Sequence, residues 1–75
     1  MAERRESYPT HLEDGTLLTV DNVPVAGYWE GEPVHDDPTS ERLYAFRERL
    51  KAQPHDPRRA YRVDFDQPDA VPVAV

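Results

Sequence analysis

The side chains that could do chemistry in this sequence gather in two loops. His35-Asp36-Asp37 sets an imidazole beside two carboxylates, a donor set suited to a divalent cation. His55 stands in a second loop, PHDP at 54–57. A helix read over 38–53 separates the two loops, and at roughly 1.5 Å per residue its ends lie about 20 Å apart. One ion therefore cannot be shared between them, and a metal at His35 would need a ligand from outside the chain. Ser7 and Ser40 have no base at the spacing of a nucleophile elbow. Glu30 and Glu32, two apart on extended chain, share a face, yet a general acid–base pair needs a dry cleft to drive its two pKa values apart. Gly15, Gly27 and Gly31 form no phosphate-cradling pattern, and without cysteine there is no thiolate, disulfide or Cys-type zinc site. The residues thus predict a protein without enzymatic activity, cofactor or metal.

The elements that position these groups are few. The 75 residues carry a net charge of −6, and a chain of this length buries only about 60% of its unfolded surface. Leu, Val and Phe together number fifteen and Ile is absent, so the core must be small. The clearest element is PTSERLYAFRERLKAQ, residues 38–53. Asp37 or Thr39 serves as its amino-terminal cap, Pro38 suits the first turn, and Pro54 ends it. At about 100° per residue, Leu43, Phe46 and Leu50 share one stripe.

Residues 16–29, TLLTVDNVPVAGYW, read as a β-hairpin turning at Asp21-Asn22. That register sets Leu18, Val20, Val23, Val25 and Trp29 on one core-facing side, with Pro24 marking the second strand as an edge. Residues 30–37 read as loop. Residues 58–66, RRAYRVDFD, alternate with Tyr61, Val63 and Phe65 inward, and form a strand beside the first. The expected fold is a small α+β domain, β-β-α-β with an optional last strand. One helix packs on one face of a three- or four-stranded, mainly antiparallel sheet. Residues 1–14 form a flexible amino-terminal lead-in, ordered only if Tyr8 or Leu12 finds a pocket. Residues 15–67 form the single domain, and residues 68–75 a tail or edge strand. No apolar run approaches the roughly 20 residues of a membrane span and MAERRESYP lacks a signal-peptide core, so a cytoplasmic protein is expected.

Charge is divided along the chain. Residues 6–41 hold nine acids and no Arg or Lys, whereas residues 42–62 hold seven bases against two acids. Internal compensation is the plainest reading, since exposed pairs contribute at most about 1 kcal/mol each. The functional reading is a small acidic protein-interaction module: a regulator or inhibitor, of the kind found among antitoxins and phage anti-defence proteins. Its partner is a larger protein whose basic surface it occupies, and that surface can be one that binds nucleic acid. Glu13, Asp14, Tyr28, Glu30, Glu32, Asp36 and Asp37 are the partner-binding candidates, with Tyr28 suited to anchor an interface. A competing reading is an accessory subunit of a larger assembly, docked through the hairpin face or the valine tail. A third has nucleic acid on Arg42, Arg49, Arg58 and Arg59, a reading that the net negative charge opposes. The oligomeric state stays open, a weak homodimer included.

Overall fold

The computed structural model describes residues 4–75. Six strands and one helix follow one another as β1 (Arg5–His11), β2 (Leu17–Pro24), β3 (Gly27–Trp29), β4 (Glu32–Val34), α1 (Asp37–Ala52), β5 (Ala60–Asp64) and β6 (Val73–Ala74). β1, β2, β5 and β6 form one sheet in that order, while β3 and β4 make a separate two-stranded arm. β1 is antiparallel to β2, β6 is antiparallel to β5, and the central pair β2–β5 is parallel. The expected α+β architecture is therefore present, one helix against a mainly antiparallel sheet.

The helix forms where its period and caps place it. Leu43, Phe46 and Leu50 are buried and join Leu18, Val20, Val23, Tyr61, Val63 and Phe65 in one core. Full burial of an aliphatic or aromatic side chain of this size contributes about 1.5–3 kcal/mol. The cap is Asp36, ahead of both expected residues, Asp37 and Thr39; its Oδ1 accepts from the Thr39 N–H at 2.9 Å. Pro38 consequently stands second in the helix, where its missing N–H still goes unused.

The hairpin at Asp21-Asn22 does not form. β2 runs straight through those residues, pairing Leu18 with Tyr61 and Val20 with Val63 on one side and with Thr10 and Tyr8 on the other. Asn22 does take a left-handed conformation, φ 63°, but it spends it on a bulge: the register with β1 slips between Glu6 and Tyr8. The extra residue restores Val23 to the core face that Leu18 and Val20 already occupy. Pro24 is β2's last residue, beyond the final pair with β5 at Asp21–Asp64, so no ladder bond is lost there.

Two further expectations change with it. Residues 5–11, assigned to a flexible lead-in, form β1 and shield the outer side of β2; residues 1–3 of that lead-in lie outside the described residues. The condition set for their order is met: Leu12 is buried and Tyr8 packs against the core. Asp14 closes the β1–β2 loop by accepting from the Thr16 N–H and hydroxyl, and Gly15 supplies the positive φ of 92°. Trp29, expected in the core, is 72% exposed. It belongs to the arm, where a two-residue turn at Glu30 and Gly31, both with positive φ, joins β3 to β4. At the carboxyl end, β6 takes the edge-strand alternative for the tail.

Candidate protein-interaction site

The basic segment is largely consumed by the fold. Arg42 donates to the Phe65 carbonyl and lies 4.5 Å from that ring's centre. Arg47 donates to Thr10 Oγ1 and the His11 carbonyl, and pairs with Glu13. Arg49 donates to the Pro68 and Ala70 carbonyls, and Arg62 grips Asp21. Arg58 pairs with Asp56. Of the four residues offered for nucleic acid, Arg42 and Arg49 thus hold the segment after β5 against α1, and Arg58 is drawn to its own loop. Arg59 alone of that group makes no side-chain hydrogen bond or ion pair among the described residues.

The acidic candidates divide in the same way. Glu13 and Asp14 sit at the carboxyl end of α1, Glu13 with Arg47 and Lys51, Asp14 with His55. The Thr16 hydroxyl and N–H, then His55, bring the Asp14 carboxyl down to about 2. Asp36 is spent as the helix cap, and its contact with Thr39 holds its carboxyl below the usual range. Glu30, Glu32, Asp37 and Glu41 make no hydrogen bond or ion pair through their carboxylates among the described residues. All four lie between the tip of the arm and the first turns of α1. The seven candidates therefore form two groups at opposite ends of a 16-residue helix, and the uncompensated charge sits in the arm group.

The arm adds the aromatic surface. Tyr28, Trp29 and Val34 are 48%, 72% and 42% exposed. Pairing sets Trp29 opposite Glu32 and Gly27 opposite Val34, so Trp29, Glu32 and Val34 share one face. Tyr28 turns to the other face, where its hydroxyl donates to Glu6 and the Arg4 guanidinium lies 5.6 Å from its ring centre. That hydrogen bond lowers the Glu6 carboxyl and raises the Tyr28 phenol. Sequence reading found Glu30, Glu32 and Tyr28 but assigned Trp29 to the core. The missed signal is the Glu-Gly pair at 30–31, which turns the chain where Asp-Asn at 21–22 does not.

Other constellations stay modest. His35 Nδ1 faces the Pro24 carbonyl at 3.1 Å, and with Asp36 capping α1 two members of the His35-Asp36-Asp37 triplet are already engaged. Among the described residues no cluster of three or more His, Asp or Glu is placed to hold a metal. Two open depressions of about 240 and 200 Å³ lie beside α1, one lined by Leu12, Asp14, Lys51 and His55, the other by Tyr8, His35, Ser40 and Tyr44. No helix among the described residues is long and apolar enough to cross a membrane. No protein-family model, curated protein or solved structure matches the chain.

Proposed function

We propose that the chain is a non-catalytic protein-interaction module that meets the basic surface of a larger partner through its β3–β4 arm. The observation that carries this reading is the exposure of Trp29 beside carboxylates that, among the described residues, have no cation of their own. A tryptophan left in water at the end of a short arm adds nothing to the core, and tryptophan is the residue most enriched at interface hot spots. Glu30, Glu32, Asp37 and Glu41 give the same end of the molecule a negative field, which steers a basic partner and sets specificity. A regulator or inhibitor that covers a basic site, as an antitoxin or anti-defence protein does, fits this design.

The test compares the wild-type chain with Trp29→Ala and with Tyr28→Ala as baits in source-cell extract at low and high salt. Trp29→Ala is expected to keep the far-UV spectrum and thermal midpoint and to weaken capture of a basic partner by about 30-fold or more, the effect of losing a hot spot of about 2 kcal/mol. Capture should also fall steeply with salt. Equal capture by Trp29→Ala and the wild type would discard the arm as the contact.

The accessory-subunit reading retains one specific support. Val71, Val73 and Val75 are 53%, 61% and 72% exposed along the open edge formed by β6. Burial of residues 69–75 in a complex that salt does not weaken would favour it over the arm.

A further inference from the structure

Each face of the arm sets an aromatic ring beside a carboxylate, and among the described residues only one of the two is met by an arginine. On the Tyr28 face an aromatic ring and a carboxylate stand together, and an arginine of the same chain completes the set. Arg4 lies over the Tyr28 ring, its Nε donates to Glu6 at 3.2 Å, and Glu6 also accepts from the Tyr28 hydroxyl. On the Trp29 face an aromatic ring and a carboxylate again stand together. Trp29 and Glu32 are directly opposed across the two strands, which sets their Cβ atoms about 5 Å apart. Among the described residues no cation covers this indole and none pairs with this carboxylate. Val34 extends the apolar floor on the same face, and Gly27 opposite it leaves that floor without a competing side chain.

We propose that the Trp29–Glu32 face is a receptor for an arginine side chain of the partner, with the guanidinium stacked on the indole and its N–H groups donated to the Glu32 carboxylate. This rests on the reading of the arm as the contact and specifies the chemistry it recognises. Arginine fits better than lysine, because a planar guanidinium can stack on the ring and still direct two donors along its edge, whereas an ammonium offers a point charge. Tryptophan is also the strongest of the aromatic faces toward a cation. The Arg4–Tyr28–Glu6 contact brings the same three groups together within this fold, with the guanidinium 5.6 Å from the ring centre and its Nε donating to Glu6 of β1.

Trp29 is the only tryptophan in the chain, so its fluorescence reports on the site directly. The experiment titrates the full chain at low salt with amidated tri-arginine and, separately, tri-lysine peptide, following indole emission and the indole N–H resonance. The expected result is a saturable change with a Kd for tri-arginine about threefold or more below that for tri-lysine. Glu32→Gln should abolish that preference, while Glu13→Gln, at the far end of the molecule, should leave it intact. Equal response to the two peptides, or a preference that survives Glu32→Gln, would overturn the arginine receptor and leave the arm a general acidic contact. Absence of any change at Trp29, alongside loss of partner capture in Trp29→Ala, would likewise overturn the receptor while sparing the arm.

Discussion

Asn22 shows how one residue can be read correctly in conformation and wrongly in consequence. Its left-handed φ of 63° is the conformation an Asp-Asn turn would use, and here it makes a bulge that β1 and β5 hold from both sides. Its side chain donates to Asp64 and its carbonyl accepts from Arg5. Asn22→Ala is expected to destabilise the fold by about 1–2 kcal/mol in urea unfolding, since alanine lacks the short polar side chain that lets asparagine tolerate this region and loses the bond to Asp64, and Asn22→Gly, free of the steric cost, should lie closer to the wild type. A second single-residue effect comes from His55, whose two ring nitrogens face the Gln53 carbonyl at 2.9 Å and Asp14 at 3.0 Å. Two acceptors favour the doubly protonated ring; the Gln53 carbonyl, then Asp14, raise its pKa above the ordinary 6.5. A raised pKa contributes stability that is fully present below 6.5 and is lost as pH climbs through the folded value. Asp14, lowered from 3.8 to about 2, contributes above 3.8 and loses its contribution as pH falls toward about 2. The pair should therefore support the fold best between those limits. Thermal midpoints measured from pH 6 to 8 should decline in the wild type, and His55→Gln should flatten that decline.

At the level of elements, the arginines of α1 work as clamps on the chain that follows β5. Arg49 reaches two carbonyls, at Pro68 and Ala70, and lies 5.2 Å from the Phe46 ring centre. Residues 66–72 contain no strand, so these bonds substitute for a ladder and bring β6 to the sheet edge. Arg49→Ala should cost about 1.5–3 kcal/mol, the range for hydrogen bonds from a charged donor. Amide exchange at Ala70 and Val73 should speed up more than at Val20, and Arg49→Lys should recover only part of the loss, since both bonds come from the guanidinium Nη1 and a shorter lysine gives up the planar group's contact with Phe46. Arg59→Ala should leave stability within about 0.5 kcal/mol of the wild type. β1 illustrates a different kind of element, an edge strand written in mostly polar residues. Its alternation is shallow, Glu6, Tyr8 and Thr10 half-buried and Arg5, Ser7, Pro9 and His11 exposed. Such a strand is recognisable only beside the partner it pairs with.

Across the whole molecule, charges remote in sequence are brought together and largely cancel. Arg62 meets Asp21, Arg5 meets Asp66, and Arg47 and Lys51 meet Glu13. Glu30, Glu32, Asp37 and Glu41 keep no such partner among the described residues, and it is this charge, with Glu32 directly opposite the exposed Trp29, that the proposed function uses. Helix α1 and the inward set Tyr61, Val63 and Phe65 were legible in the chain alone. They depend on short-range period, capping and composition, which neighbours in sequence decide among themselves. The path of β2, the existence of β1 and the exposure of Trp29 were not legible. Asp-Asn and Glu-Gly both permit a two-residue turn, and the choice between them falls to the pairing each allows. A straight β2 gains a strand on each side and buries Leu18, Val20 and Val23 together, whereas a turn at Asn22 would leave those ladders unmade. That balance is set by contacts between residues far apart along the chain, and only the folded structure contains them.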